Sequence, residues 1–271
     1  MPMPIITSSA NRHIVEARKL RQRKHRQEQG LFLLEGLQLL TMALDAGLAP
    51  TRVFTCPQQF AGAQAPALMD RFARAGAELH QVTPAVMAAL SDRDGPQGLL
   101  ATFRRFSAQL ADLRLTGKEL VVVLDRPQDP GNVGGLIRTA DAVGATGVVI
   151  LEPAVDLFDP KTVRASMGSV FNLPVILTPD AAALDQLAGK GITPTGASEH
   201  AAELGGEAWG ETALRGGCAL VLGNEARGHS PDISPRIRRW VTLPMRGKAE
   251  SLNVSIAGGV LMYLWLRLND R

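Results

Sequence analysis

The feature that most constrains the fold is an unbroken apolar run at residues 119–125 (ELVVVLD), followed by the glycine-rich turn 129–135 and a helical pattern. A strand without polar alternation is typical of a parallel sheet whose two faces are both covered. Further apolar strands alternate with helical segments, and this alternation predicts a doubly wound α/β domain. These strands are predicted at residues 147–151, 175–177, 192–196, 219–222 and 240–243.

The chain is predicted to end in a helix at about residues 253–268. Its apolar residues recur with helical spacing, which predicts a buried stripe at Ile256, Val260, Leu264 and Leu268.

The first hundred residues predict a second, smaller α/β module. A chain of 271 residues exceeds the usual size of one domain, so two domains are the natural expectation. We predict a domain at residues 1–105, a polar linker at 106–118 and a domain at 119–271. Within the first domain, strands are predicted at 31–34, 52–55, 79–82 and 99–103, and helices at 37–46 and 65–75.

The positive charge of the chain lies at its amino-terminal end. The net charge is +3, but residues 1–30 carry seven basic side chains against two acidic ones, so the remaining chain is net acidic. The basic residues are Arg12, Arg18, Lys19, Arg21, Arg23, Lys24 and Arg26. A basic segment of this kind suits an RNA phosphate backbone, although an ordinary solvated helix face explains the charge equally well.

Several classes of protein are excluded by the composition. The two cysteines, Cys56 and Cys218, lie far apart, which argues against a disulfide scaffold and favours a reducing cytoplasm. The longest apolar run, residues 256–266, is well short of the roughly 20 residues that span a bilayer, so no membrane partner is expected. The five histidines show no metal-ligand spacing, and we predict no metal site.

Three loops carry polar residues where predicted strands end, which is where parallel sheets bind ligands. The first, residues 129–138, contains Asn132 and Arg138; the second, residues 223–228, contains Glu225. Arg138 falls off the apolar face of the helix that follows residue 130, so it faces solvent or a site. Taken singly, Asn132 is also a good helix cap, and Glu225 suits any solvated loop.

The third loop comprises residues 243–245 (LPM) and 250–255 (ESLNVS). Ser251 or Asn253 can cap the last helix, which is a purely structural explanation for either residue. Each loop is therefore weak evidence when it is considered alone.

In combination, the loops read NxGxxxR, GNExxG and LPM…ESLNVS, and this order closely resembles the three motifs of the SpoU (TrmH-like) branch of the SPOUT RNA methyltransferases. The resemblance covers about residues 119–268 and includes residues 164–169 (RASMGS). A weaker resemblance over residues 10–103, including 32–36 (FLLEG), points to the family's ribosomal-protein-like substrate-binding module.

The resemblance implies a carboxy-terminal parallel sheet with a deep trefoil knot, a homodimer, and S-adenosyl-L-methionine as cofactor. By resemblance, the residues expected to contact or adjoin the cofactor are Gly223, Leu243, Leu252, Met245 and Ser251. The expected catalytic residues are Asn132 and Arg138, supported by Glu225, Ser251 and Asn253. Guanidinium does not deprotonate in proteins, so our hypothesis is that Arg138 holds a phosphate and favours the alkoxide electrostatically.

The reaction implied is methyl transfer to a ribose 2′-hydroxyl of RNA, which needs no metal. An appended RNA-binding module favours 23S rRNA as the substrate over tRNA. A non-catalytic RNA-binding relative is an open alternative. A nicotinamide-dependent oxidoreductase is a weaker one, because the turn reads GxxGG rather than GxGxxG and the GNE and SLN segments stay unexplained.

Overall fold

The structure, a computed structural model, describes residues 4–60 and 64–270. The chain forms two units. The first comprises Met1–Phe106 with Phe158–Pro160, and the second comprises Ser107–Leu157 with Lys161–Arg271. Within the described residues, every helix is too short or too polar to cross a lipid bilayer.

The first unit is a four-stranded mixed sheet with five helices around it in the described residues. Its elements are α1 (Arg12–Lys19), α2 (Arg23–Gln29), β1 (Leu31–Glu35), α3 (Leu37–Asp45), β2 (Pro50–Thr55), α4 (Gln64–Arg74), β3 (Glu78–Gln81), α5 (Pro84–Leu90) and β4 (Leu99–Arg104). The strand order is β1-β4-β2-β3; β4 is antiparallel to both neighbours, and β2 and β3 are parallel. Every strand and helix predicted here is present, while α1, α2 and α5 are additional.

The basic segment folds into α1 and α2. Helix α1 buries Ile14 and Ala17 and leaves Arg12, Arg18 and Lys19 exposed, so its polar face is the charged one. Arg23 and Lys24 of α2 are exposed as well.

Two of the seven predicted RNA-binding residues, Arg21 and Arg26, are not fully exposed. Arg26 was predicted to bind RNA, but its side chain is 1% exposed and cannot reach a phosphate. Its guanidinium donates hydrogen bonds to the carbonyl oxygens of Leu20 and Arg21 and pairs with Asp159. Composition could not show this, because a buried arginine and an exposed one have the same sequence signature. Arg21 is half-buried and donates to the carbonyl oxygen of Ser91.

The histidines contain a cluster that spacing did not predict. His13 of α1 and His80 of β3 lie side by side next to Glu78, although 67 positions separate the two histidines in the sequence. The expectation that the histidines form no ligand set rested on local spacing alone, which cannot show that α1 and β3 bring His13 and His80 together.

The second unit is built on a seven-stranded sheet in which every described pairing is parallel. Its elements are β5 (Leu120–Asp125), α6 (Pro130–Ala142), β6 (Gly147–Leu151), α7 (Pro160–Ala165), β7 (Val175–Thr178), α8 (Ala183–Gly189), β8 (Thr193–Ala197), β9 (Glu207–Ala208), β10 (Cys218–Leu222), β11 (Arg239–Thr242) and α9 (Val254–Asn269). The order is β7-β6-β5-β10-β8-β11-β9. The predicted α/β class and parallel sheet are confirmed, and each predicted strand is present to within a residue or two.

Buried apolar strands explain why this sheet forms. All six residues of β5 and all five of β10 are buried, and the two strands pair in the middle of the sheet. The core on one side of the sheet also includes Leu113, which belongs to the segment predicted as a linker. Because the strands are parallel, the loops that follow β5, β10 and β11 all leave from one edge of the sheet.

Helices α6 and α9 pack against each other near that edge. The predicted apolar face of α6 is confirmed, since Val133, Leu136, Ile137 and Ala140 are buried. The predicted stripe of α9 is wrong. Its buried residues are instead Gly258, Leu261, Met262 and Trp265.

On α9, Ile256 and Val260 of the predicted stripe are exposed. The helix is apolar on nearly all sides, so periodicity could not identify its buried face. Contact with α6 determines that face instead. A Cβ on Gly258 would lie 2.6 Å from side-chain atoms of Leu136 and Leu222.

Candidate active site

The first loop runs from β5 into α6, and its helix cap is Asp129. The Asp129 side chain accepts a hydrogen bond from the Asn132 backbone N–H at 2.7 Å, and Pro130 occupies the first turn. Aspartate before proline is a strong helix start. The structural explanation for Asn132, that it caps the helix, is therefore wrong, and its side-chain amide is available to other groups.

The second loop, residues 223–228, is a tight turn organised by Asn224. The backbones of Asn224 and Gly228 form a two-way bridge, with both N–H···O distances at 2.9 Å. The buried Asn224 side chain accepts from the Ala226 and Arg227 N–H groups and donates to the Arg126 carbonyl at 2.7 Å. Asn224 thus shapes the second loop and attaches it to the first.

The side chains of Glu225, Asn132 and Asn253 form a continuous hydrogen-bonded chain across the three loops. Asn132 Nδ2 donates to Glu225 Oε1 at 3.1 Å, and Asn253 Nδ2 donates to Asn132 Oδ1 at 3.0 Å. The Glu225 carboxylate also accepts from the backbone N–H groups of Gln128 and Asp129. Three motifs that are widely separated in the sequence therefore meet at one point.

Asn253 has two functions in this chain. Its Oδ1 caps α9 by accepting from the Ser255 N–H at 2.9 Å and the Ile256 N–H at 3.4 Å, which confirms the capping interpretation. Its Nδ2 is the donor to Asn132. Since each function uses a different atom of the side-chain amide, capping fixes the orientation of the donor.

Asp125, a buried residue at the end of β5, fixes the segment that follows the second loop. Asp125 accepts from the Ser230 N–H at 2.6 Å and the Ser230 hydroxyl at 2.8 Å, which ties the end of the second loop to β5. Arg126 contacts Asp125 and forms a two-point pair with Asp232 at 2.9 and 2.8 Å. The Arg126 guanidinium lowers the pKa of the Asp232 carboxyl below its usual value.

These loops enclose an open cleft of about 1140 Å³ at the carboxyl edge of the sheet. Eight of the nine residues predicted for catalysis or cofactor binding line it: Asn132, Gly223, Glu225, Leu243, Met245, Ser251, Leu252 and Asn253. The cleft also extends to the loop after β8, where Ser198 and Glu199 line it. Sequence reasoning missed that wall, because a run of small and polar residues carries no distinctive signal.

Arg138 is the exception among the predicted catalytic residues. It is exposed on α6, six residues beyond Asn132, and it does not line the cleft of its own chain. Helix α6 runs away from the carboxyl edge, and six residues correspond to about 9 Å along a helix axis. Arg138 is therefore not part of the cleft of its own chain, and its expected catalytic role stays a prediction.

His229 is a cleft residue that sequence analysis did not identify. Its Nε2 lies 2.9 Å from the Ala197 carbonyl, so Nε2 carries the proton and donates, and burial lowers the pKa of the ring. Its Nδ1 is then an acceptor, and it is buried with no hydrogen-bond partner in the described part of the chain. The imidazole packs against the Trp240 ring in a T-shaped arrangement, with 5.1 Å between the ring centroids.

Comparison with known proteins agrees with this site. Residues 119–263 match the SpoU rRNA Methylase family, and residues 11–101 match the MRM3-like substrate binding domain. The first match covers more than half of the chain and includes all three loops. The chain therefore belongs to the SpoU rRNA methylase family.

Three similar proteins match this chain over most of its length. The 23S rRNA (guanosine(2553)-2′-O)-methyltransferase RlmP of Bacillus subtilis is 29% identical over 96% of this chain and 98% of its own. The 23S rRNA (uridine(2479)-2′-O)-methyltransferase of Streptomyces viridochromogenes is 30% identical over 90% and 85%. The crystal structure of an AdoMet-bound rRNA methyltransferase from Sinorhizobium meliloti superposes with a TM-score of 0.88 at 30% identity, covering 98% of each chain.

Proposed function

We propose that this protein transfers a methyl group from S-adenosyl-L-methionine to a ribose 2′-hydroxyl of 23S rRNA. The observation that carries the proposal is the hydrogen-bonded chain of Glu225, Asn132 and Asn253 on one wall of the cleft. The names of the relatives from Bacillus subtilis and Streptomyces viridochromogenes support ribose methyl transfer to large-subunit rRNA.

The residues of the cleft fit S-adenosylmethionine. Met245 and Leu252 line it and are exposed, so apolar surface is available for the adenine. The buried acceptor Nδ1 of His229 is available to a polar group of the ligand. Glu225 and Glu250 also line the cleft, and their negative charge suits a sulfonium cation. Gly223 and Leu243 complete the proposed cofactor site, with Ser251 beside them.

The bound cofactor supplies an electrophilic methyl group on a positively charged sulfur. Transfer of that methyl group to the ribose oxygen would break the carbon–sulfur bond, and the hydroxyl proton would leave to water in the open cleft. A hydroxyl is a poor nucleophile, so the protein contributes by alignment and by stabilising negative charge on the oxygen. Asn132 is placed for this role, since Glu225 and Asn253 fix both ends of its amide.

We propose that the active protein is a homodimer in which Arg138 serves the cleft of the second copy. Ile256, Val260 and Tyr263 are exposed and lie on one face of α9, as residues three and four apart on a helix do. Exposed apolar side chains grouped in this way mark an interaction surface. Helix α9 packs on α6, where Gly259 lies opposite Thr139, the neighbour of Arg138. Pairing through α9 would therefore cover the surroundings of Arg138.

We further propose that residues 1–105 bind the RNA, and that residues 119–271 contain the knot and catalyse methyl transfer. The exposed cations Arg12, Arg18, Lys19, Arg23 and Lys24 support the first assignment, with half-buried Arg21 at their edge. Arg26 is left out because it is buried. A 23S rRNA substrate would place the protein in the cytoplasm.

The proposal is tested by methyl transfer from labelled cofactor to 23S rRNA, with tRNA as the competing substrate. We expect the Asn132→Ala chain to lose at least about 100-fold in kcat, because alignment of the nucleophile is lost. Asn172→Ala is the matched control, since Asn172 is exposed and does not line the cleft. Equal rates for Asn132→Ala and wild type, or transfer to tRNA alone, would overturn the proposal.

The dimer is tested by mixing two inactive chains, Arg138→Ala and Asn132→Ala. If Arg138 serves the second copy, each mixed dimer contains one intact site, and an equal mixture should recover about a quarter of the wild-type rate. No recovery from chains that exchange subunits would show that both residues act within one chain.

A further inference from the structure

A cluster of three metal-ligand side chains lies in the first unit, apart from the catalytic cleft. Helix α1 contributes His13, and β3 contributes Glu78 and His80, which are two residues apart and so lie on the same side of the strand. One ligand atom from each residue lies within 4.8 Å of the other two. The rings of His13 and His80 are 4.7 Å apart between centroids.

Two nitrogens of this cluster are buried and make no hydrogen bond within the described residues. They are His13 Nδ1 and His80 Nε2. His80 Nε2 lies 3.1 Å from Glu78 Oε1, an ion-pair contact with the carboxylate of the same cluster. A buried polar atom without a hydrogen bond is costly, and two in one cluster call for a physical explanation.

Arg52 and Phe54 contact Glu78 and His80 and help to orient them. Arg52 donates to Glu78 Oε2 at 3.2 Å and to Glu16 at 2.7 Å, so the second oxygen of Glu78, Oε1, is the one that faces His80. Phe54 stacks on the His80 ring at 5.5 Å between centroids. Metal sites typically contain such residues, which contact a metal-binding side chain at atoms that do not bind the metal and so fix its orientation.

We propose that His13, Glu78 and His80 bind a borderline divalent transition-metal ion, for which Zn²⁺ is the first candidate. Imidazole nitrogen and carboxylate oxygen are ligands that Zn²⁺ accepts. Two ligands on a tetrahedral zinc ion lie about 3.3 Å apart, and the contact between His80 and Glu78 already has nearly that spacing. The fourth position is left to water.

Binding requires a small rearrangement at His13. Its Nε2 accepts a long hydrogen bond from Arg12 at 3.3 Å, which places the ring proton on Nδ1. Coordination through Nδ1 moves that proton to Nε2 and releases the exposed Arg12 side chain to solvent. The ligand atoms, which lie within 4.8 Å of one another, must also approach the spacing of about 3.3 Å between zinc ligands. The ion would then connect α1, which carries the basic face, to the edge strand β3.

The experiment uses the full-length chain without an affinity tag, titrated with zinc chloride in a calorimeter. We expect one equivalent of Zn²⁺ to bind. His13→Gln and His80→Gln should each raise the Kd for Zn²⁺ at least about tenfold, since even the loss of a residue that only orients a metal ligand lowers metal affinity by about that factor. His25→Gln is the matched control. His25 lies 3.0 Å from Glu28 in the same unit but belongs to no three-residue cluster among the described residues.

Cobalt(II) provides a second measurement on the same proteins. Intense visible absorption in the wild-type chain, absent from His80→Gln, is expected for a four-coordinate site. Circular dichroism of the metal-free variants confirms that they are folded. Absence of zinc binding by the wild-type chain would overturn the proposal. So would binding that survives in His13→Gln and His80→Gln but is lost in His200→Gln, where Glu199 and Glu203 lie nearby.

Discussion

Asn253 can be replaced in two ways that separate its two functions. Alanine removes both the cap of α9 and the donor to Asn132, whereas aspartate keeps an oxygen for the cap but has no N–H for Asn132. Loss of a cap costs about 0.5–2 kcal/mol, and loss of one hydrogen bond costs about 0.5–1.5 kcal/mol. Because Asn253 is exposed, both losses should fall in the lower half of these ranges. We therefore expect Asn253→Ala to lower the free energy of unfolding by about 1.5 kcal/mol.

The assay combines thermal unfolding with the rate of methyl transfer. For Asn253→Ala, the expected cost corresponds to a fall in Tm of about 3–6 °C. Asn253→Asp should unfold within about 0.5 kcal/mol of wild type, since a negative charge at a helix amino terminus is favourable.

Both variants should lose about 10- to 100-fold in kcat, because the Asn132 amide is no longer fixed at both ends. Wild-type activity in Asn253→Asp would refute the assigned role of the hydrogen-bonded chain. Wild-type stability in Asn253→Ala would refute the cap.

Three further predictions test packing, pH dependence and the role of the guanidinium. Gly134→Ala should lower the free energy of unfolding, measured with denaturant, by about 1–3 kcal/mol, because a Cβ there would lie 2.5 Å from the Ala165 Cβ. Gly135→Ala is the control and should not lower it, because the nearest atom to a Cβ there is 3.8 Å away. Burial acts to raise the pKa of Glu119, but hydrogen bonds from the Thr116 hydroxyl and nearby N–H groups outweigh it and lower the pKa to about 2. The folded-state pKa is below the unfolded one, so ionised Glu119 stabilises the fold fully above pH 4.5 and loses that contribution as the pH falls toward 2. Urea unfolding of Glu119→Gln and wild type should therefore show a difference in the free energy of unfolding at pH 7 that disappears in acid. Arg138→Lys keeps the charge but loses the two-point fork, so kcat should fall at least about tenfold, and a wild-type rate would contradict the need for a fork.

The sequence was most informative where chemistry requires an unusual local pattern. The buried strand β5 was predicted because six consecutive residues with no exposed face admit few alternatives. The cleft residues Asn132, Glu225 and Asn253 followed from their loops, since parallel strands bring such loops to one edge. Their hydrogen-bonded order could not be predicted, because it depends on Asp129 taking the capping role from Asn132.

The errors arose where long-range packing decides the outcome. Arg26 resembles its neighbours in the sequence, but the fold buries it beside Asp159. The motif could not show whether Arg138 reaches the cleft of its own chain, and the direction of α6 carries it away from that cleft. Neither burial nor helix direction leaves a local signal in the chain.

The central claim is that the three loops form one pocket where a methyl donor meets a ribose oxygen. It is tested most directly by incubating the wild-type protein with methyl-labelled S-adenosylmethionine and 23S rRNA, digesting the RNA to nucleosides and identifying the labelled product by mass spectrometry. The account predicts label on the ribose of one nucleotide, and an initial rate of labelling at least about 100-fold lower with Asn132→Ala. Label on a base, or no label in RNA at all, would contradict it.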